Sequence, residues 1–162
     1  MPEDALTLRP AVDGDGEAIA QVLVEAGVAA WSDFLGEQRI RTANAGRRHP
    51  ADVVAEDAGG ICGFVAWDVG TAEVTRLYVT PRRWRAGVGR SLLSTAEEAL
   101  RAAGVRRAWL NTEERGPAVA FYERCGWRRE GEPRVRDWHG AQLVEPRFVK
   151  DLQRPISPTT AA

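Results

Sequence analysis

Residues 77–93 read Leu77-Tyr78-Val79-Thr80-Pro81-Arg82-Arg83-Trp84-Arg85-Ala86-Gly87-Val88-Gly89-Arg90-Ser91-Leu92-Leu93, a short apolar strand followed by a glycine turn and an amphipathic helix. A helix start leaves about four backbone N–H groups unpaired and carries a partial positive charge, so it favours an anion such as phosphate. Gly87 and Gly89 lack a Cβ, which lets a ligand approach the main chain closely. The flanking arginines add cations for further phosphates: Arg82, Arg83, Arg85 and Arg90. The junction therefore predicts a site for a polyphosphate.

Two familiar phosphate-binding loops do not fit this segment. The Walker pattern ends in Gly-Lys-Ser/Thr, whereas Gly89 is followed by Arg90 and Ser91. The dinucleotide fingerprint requires a third small residue where Leu92 stands. Both ligand classes are therefore disfavoured.

The segment closely resembles motif A of the GCN5-related N-acetyltransferases, whose glycine loop holds the pyrophosphate of acetyl-coenzyme A. The resemblance covers nearly the whole chain, from residues 6–10 to the Phe-Tyr-Glu-Arg-Cys-Gly-Trp block at 121–127 and the final strand. Two positions depart from the family pattern: Trp84 stands where Gln or Arg is usual, and Arg85 where Gly is frequent. The resemblance implies an enzyme that transfers an acetyl group from acetyl-CoA to a primary amine.

Composition sets the outer limits of the interpretation. The chain has 162 residues and a net charge of −1, which fits one domain over residues 1–152 with a flexible tail at 153–162 and disfavours a nucleic-acid or membrane-surface role. We see neither a signal peptide nor an apolar run of the ~18 residues that a membrane span needs, so we expect a cytoplasmic protein. Cys62 and Cys125 are expected to be reduced, and no metal site is predicted.

Apolar periodicity predicts the order of the elements. A strand at residues 6–8 precedes a helix that extends past Gly27 toward Trp31 and Phe34, and a loop covers residues 42–50. Further strands are predicted at residues 52–56, 61–67, 72–80, 105–111 and 143–149, with helices at 88–103 and 117–126. Pro146 cannot donate to a β ladder, so we expect it at an edge or a bulge.

The resemblance implies an α/β (α+β) fold. Its central sheet is mixed and mostly antiparallel, with six to seven strands and about four flanking helices, and it splays between the fourth and fifth strands. The pantetheine arm would enter that gap and pair with main-chain groups of Leu77 and Val79, leaving the Val79 N–H beside the thioester. The implied cofactor contacts are Leu77, Tyr78, Val79, Trp84, Arg85, Ala86, Gly87, Val88, Gly89, Arg90, Ser91 and Asn111. Asn111 is explained equally well as a strand-end cap.

The resemblance also assigns catalytic roles. Tyr122 stands at the position of the family's general acid, which would protonate the leaving thiolate; the alternative is a core aromatic residue on a helix face. Glu73 is a candidate base that acts through water, or else a solvated strand residue. Cys125 as an acyl carrier is disfavoured, because no partner that would activate its thiolate is evident. His49 and His139 are isolated in loop-like sequence and are expected at the surface.

The acceptor is the least determined part of this interpretation. In the family, the loop after the first helix and the segment before the last strand shape the acceptor side. This points to Trp31, Phe34, Trp138 and His139; core packing explains the first two as well. The acceptor would be a small amine or a peptide, and a homodimer is possible. A noncatalytic acyl-CoA sensor is the alternative function.

Overall fold

The computed structural model describes residues 5–153, so the expected tail lies outside the described residues apart from Gln153. Seven strands form one sheet in the order β1-β2-β3-β4-β5-β7-β6. They are β1 Thr7–Pro10, β2 Val53–Asp57, β3 Gly60–Asp68, β4 Glu73–Val79, β5 Arg107–Asn111, β6 Arg128–Trp138 and β7 Ala141–Asp151. Four α-helices flank it within this range: α1 Gly16–Leu35, α2 Glu37–Asn44, α3 Val88–Ala102 and α4 Ala118–Arg124.

The contact between β4 and β5 is the parallel pairing in an otherwise antiparallel sheet. Glu73 faces Trp109, whose backbone N–H donates to the Ala72 carbonyl at 3.0 Å, and no later residue of β4 is in register with β5. The two strands therefore separate immediately after Glu73. The mixed, mostly antiparallel sheet that splays between its fourth and fifth strands is confirmed, as is the number of helices.

Helix α1 covers the first face of the sheet. Ile19, Val22 and Leu23 recur at helical spacing and pack against Val54 and Phe64 of the sheet. The helix continues past Gly27, as the sequence predicts, and ends at Gly36 with φ +81°.

Together with the 3-10 turn before it, α1 forms the stretch Asp13–Leu35, which is long and apolar enough, by length and composition, to span a membrane. The expectation that no such stretch exists was therefore wrong on this count. The physical reason is that Glu25 is the only charged residue between positions 18 and 32, where alanine and valine dominate. The packing of its apolar stripe on the sheet is that of a core helix.

Helix α3 covers the opposite face with a stripe of buried side chains: Val88, Leu92, Leu93, Ala96 and Leu100. It lies so close to β3 that a Cβ added to Gly63 would stand 2.9 Å from Leu92 Cδ1. Gly63 is therefore required by helix–sheet packing, and this close approach fixes the height of the helix start above the sheet.

A polar network joins α3 to the end of α4 and to β7. Glu97 accepts hydrogen bonds from Trp127 Nε1 and from Lys150 Nζ, both at 2.9 Å. Lys150 also donates to the Cys125 carbonyl at 2.8 Å. One oxygen of the Glu97 carboxylate, Oε1, therefore joins α3 to the end of α4 and to β7.

One expectation about local structure is corrected: the segment at 42–50 is not wholly a loop, because α2 extends to Asn44. Of the two positions expected for Pro146, the edge does not apply, since β7 lies between β5 and β6. The bulge expected at Pro146 is confirmed: the register between β6 and β7 shifts between Glu130 and Arg134, so the missing N–H falls where the ladder is already interrupted.

Candidate functional site

The start of α3 presents a row of backbone amides. The first intrahelical bond runs from the Ser91 N–H to the Gly87 carbonyl at 3.0 Å, so the amides of Val88, Gly89 and Arg90 precede the hydrogen-bonded turns. No side chain caps this helix start. The amides and the helix dipole are thus available to an anion.

The loop before α3 takes conformations that suit glycine. Gly87 has φ +84° and Arg85 has φ +62°. A left-handed conformation costs a non-glycine residue roughly 1–2 kcal/mol, so Arg85 stands in a strained position where the resembled family frequently has glycine.

Gly89 lies where the helix start, β4 and α4 converge. An added Cβ would stand 3.3 Å from Phe121 Cζ and 3.7 Å from Val79 Cγ2. A larger residue would therefore intrude between β4 and α4, in front of the amides of the helix start.

Two of the four arginines expected beside the start of α3 pair with a carboxylate instead. Arg82 donates to both carboxylate oxygens of Asp57, at 2.7 and 3.0 Å, and Arg83 Nε lies 3.4 Å from the same carboxylate. The hydrogen bonds from Arg82 lower the pKa of Asp57 to about 2. The expectation of four mobile cations was therefore wrong: Arg82 and Arg83 fix the loop to the β2–β3 hairpin, whereas Arg85 and Arg90 are exposed.

The edge of β4 opens toward the gap. Thr80 N–H donates to the Cys62 carbonyl of β3 at 2.8 Å, and in an antiparallel ladder the main-chain direction alternates from residue to residue. The main-chain groups of Leu77 and Val79 therefore point away from β3, toward the separated strand β5. Trp84 Nε1 donates to the Val79 carbonyl at 2.7 Å, which ties the loop to the strand and leaves the Val79 N–H facing the gap.

Tyr122 lies in the core below this gap and is 7% exposed. Its ring contacts those of Phe121, Trp127 and Phe148, with centroids 5.2 to 6.2 Å away. Its hydroxyl forms no hydrogen bond with any group in residues 5–153. Burial, followed by the neighbouring Tyr78 phenol, raises the pKa of Tyr122, so the hydroxyl keeps its proton. The side chain has the packing of a core aromatic residue and also holds a proton available for donation.

Tyr78, the residue between the two open main-chain positions, directs its ring to the α1 side. It stacks on Phe64 with centroids 5.5 Å apart and meets Trp31 edge-on at 6.1 Å. Trp31, Phe34 and Trp138 pack against one cluster built on Leu35, Ile40 and Leu143. These aromatic residues therefore form part of the core and also border the α1 side of the gap.

Glu73 lies at the point where β4 and β5 part. Burial raises its pKa, while Arg134, Arg147 and Arg76 act against that shift. Four to six residues separate Glu73 from Leu77 and Val79, roughly 13–20 Å along a strand. The structure thus brings Gly89 close to Val79 and to Phe121, the residue before Tyr122, and places Glu73 at the other end of the gap.

Asn111 ends β5 opposite Arg147 of β7 and is half-buried. His139 is exposed, as expected, whereas His49 is half-buried: its Nε2 is buried and has no hydrogen-bond partner in the described range. Sequence reasoning missed the arginines around Glu73. Side chains alternate between the two faces of a strand, so the sequence positions of Arg76 and Tyr78 already indicated that both lie on one face of β4.

Known proteins share this architecture. The model of the acetyltransferase (GNAT) family matches residues 17–127. A GCN5-related N-acetyltransferase from Rhodopseudomonas palustris superposes with a TM-score of 0.76 at 20% identity, covering 93% of this chain and 98% of that one. YncA from Salmonella typhimurium, solved with acetyl-CoA, gives a TM-score of 0.66 at 21% identity, covering 97% and 99%.

A further match has a different bound molecule. PaiA N-acetyltransferase from Thermoplasma acidophilum, in complex with coenzyme A, gives a TM-score of 0.64 at 17% identity and covers 91% of this chain and 99% of that one. No curated protein sequence matches the chain. At these identities the structural matches establish the fold, and the family model is the evidence for membership.

Proposed function

Because the chain belongs to the GNAT family of acetyltransferases, we propose that it transfers an acetyl group from acetyl-CoA to a primary amine by direct attack in a ternary complex. The expectation of a cytoplasmic location remains part of the proposal.

The start of α3 and the open edge of β4 suit acetyl-CoA as the acetyl donor. The uncapped start of α3 offers several amides to a pyrophosphate, and exposed Arg85 and Arg90 flank it. The open edge of β4 offers main-chain groups of Leu77 and Val79 to the amides of pantetheine, as a sheet edge binds a peptide. Solved relatives with acetyl-CoA or coenzyme A bound support this assignment.

When bound, acetyl-CoA supplies an acetyl group activated as a thioester. The Val79 N–H would donate to the carbonyl oxygen as negative charge develops there, a contribution of about 3–4 kcal/mol at comparable sites. Tyr122 would give its proton to the departing thiolate sulfur, since its raised pKa keeps that proton in place. Glu73 would accept the proton of the incoming ammonium through water.

The observation that carries the proposal is the uncapped helix start beside the open edge of β4, where Gly89 approaches Val79. The Tyr122 hydroxyl, which has no hydrogen-bond partner within residues 5–153, adds a candidate proton donor. The test is thiol release from acetyl-CoA with a panel of primary amines, alongside calorimetry with coenzyme A. We expect binding and amine-dependent release. Binding without release on any amine would instead indicate an acyl-CoA sensor, and absence of binding by folded protein would contradict the whole assignment.

A further inference from the structure

The α1 side of the gap carries more cations than carboxylates. Arg134 and Arg136, on β6, share one carboxylate, that of Glu145 on β7, with Arg134 Nη2 at 3.3 Å from its Oε1. Glu145 is buried, so this shared pair is a structural support of the sheet.

Arg76 and Arg147 are the remaining cations of this face. Within residues 5–153 neither has a carboxylate at ion-pair distance. Arg147 lies over the ring of Trp109, with its Cζ 4.0 Å from the ring centroid, so its guanidinium is held in a defined orientation. Arg76 lies on β4, three residues after Glu73, and Arg147 lies on β7 against Trp109, the β5 residue in register with Glu73. Both oppose the rise of the Glu73 pKa, in keeping with two guanidinium groups near the same carboxylate.

His49 adds a second unsatisfied group beside Arg76. Its Nε2 is buried without a hydrogen-bond partner in the described chain, and Arg76 is among the charges that lower its pKa. A buried polar atom without a partner costs free energy, and so does a half-buried guanidinium without a counter-ion. An anion entering the gap would supply Arg76 with a counter-ion, and guanidinium groups bind oxyanions with two parallel hydrogen bonds.

We propose that Arg76 and Arg147 bind an anionic oxygen group of the acceptor, so that the acceptor is a small amino acid-like molecule with both an amine and an acid group. This inference rests on the proposed acetyltransferase function. Glu73 is the base proposed for the ammonium of the same molecule, so this face carries charges of both signs, as a zwitterionic acceptor requires.

The test compares matched acceptors. Each pair consists of an L-amino acid and the amine that remains after its carboxylate is removed, and a third arm uses the corresponding aminophosphonate to distinguish a carboxylate from a tetrahedral oxyanion. We expect the acid-bearing member to have a kcat/KM at least about tenfold higher in the natural protein. Arg76→Gln and Arg147→Gln should lose most of that ratio through KM, and Arg76→Lys should recover part of it.

Arg106→Gln serves as the control, since Arg106 is exposed and lies outside the gap; it should keep the ratio. Calorimetry with coenzyme A and thermal unfolding are run on every variant, so that a folding defect is recognised. An equal preference for acid and neutral amines, an equal loss of both in the arginine variants, or no turnover of any pair despite coenzyme A binding overturns the inference. In the first two outcomes turnover of amines leaves the proposed function standing.

Discussion

The two sides of the gap between β4 and β5 present different chemical groups, main-chain amides on one side and side chains on the other. On the α3 side the surface for the donor consists of main-chain amides in consecutive residues, with Gly87 and Gly89 keeping them accessible. On the α1 side it consists of side chains from strands far apart in sequence, such as Arg76 and Arg147. A binding site made of main-chain amides can be recognised from one short sequence motif. A binding site made of side chains from several strands can be recognised only once the arrangement of the strands is known.

Substitutions on the two sides of the gap should therefore impair different functions. Substitutions at the helix start should weaken donor binding and leave acceptor selectivity intact, and substitutions among the arginines should do the reverse. The gap itself holds the reacting groups, so substitutions there should lower turnover with little effect on the affinity for acetyl-CoA or for the acceptor.

The largest effect is expected for Gly89→Asp. Its side chain would enter the space before Phe121 and set a carboxylate against the helix start, where a pyrophosphate needs the amides. We expect coenzyme A affinity, measured by calorimetry, to fall at least about 100-fold. Gly14→Asp is the matched control, because a Cβ at Gly14 meets no atom within 4 Å. Unchanged affinity in a folded Gly89→Asp variant would rule out the amide cradle.

Tyr122→Phe tests the reacting centre. The ring packing against Trp127 and Phe148 is retained, so only the proton donor is removed. We expect kcat to fall roughly 10²- to 10⁴-fold with coenzyme A affinity nearly unchanged. Tyr78→Phe is the comparison, since its ring stacks on Phe64 on the α1 side. A loss of the same size in Tyr78→Phe, with little loss in Tyr122→Phe, would transfer the role to Tyr78.

Glu73→Gln tests the far end of the gap. Burial raises the pKa of Glu73 above its ordinary value near 4.5, although the neighbouring Arg76, Arg134 and Arg147 oppose the shift and Asp68 adds to it. A base with a raised pKa becomes protonated, and therefore inactive, at a higher pH as the solution is acidified. We expect kcat/KM to fall about tenfold and the acidic limb of its pH profile to disappear in the variant. An unchanged profile would leave Glu73 with an electrostatic role alone.

The smallest effect is expected for Trp84→Phe, which removes the hydrogen bond to the Val79 carbonyl. One such bond contributes about 0.5–1.5 kcal/mol, so coenzyme A affinity should weaken roughly two- to tenfold as the loop loses its tie to β4. Trp109→Phe also removes an indole hydrogen bond, to the Thr71 carbonyl, away from the helix start. Tighter binding in Trp84→Phe would mean that the indole competes with the donor for Val79.

The sequence predicts most of the fold, because local patterns determine it. The apolar stripe of α3 and the glycines around it are sufficient to place the strand, loop and helix that form the donor side. The position of β7 was not predictable from Pro146, since a proline tolerated at a bulge and one tolerated at an edge look identical until the register of β6 is known.

The acceptor side was beyond sequence reasoning for a related reason. Arg82 and Arg76 are both arginines near the same strand, yet one is bound to Asp57 from the β2–β3 hairpin and the other faces the gap. Such pairings depend on contacts between residues distant in the chain.

The network of Glu97 and Lys150 has a consequence for a protein that handles reactive thioesters. Lys150 is the chain's sole lysine, and its ammonium is bound by Glu97 and the Cys125 carbonyl, whereas the other basic side chains, apart from two histidines, are guanidinium groups. Guanidinium groups stay protonated at physiological pH and are poor nucleophiles. The molecule thus carries many positive charges but no readily accessible lysine. Acetyl-CoA bound to it therefore has no such lysine amine on the protein itself to acetylate.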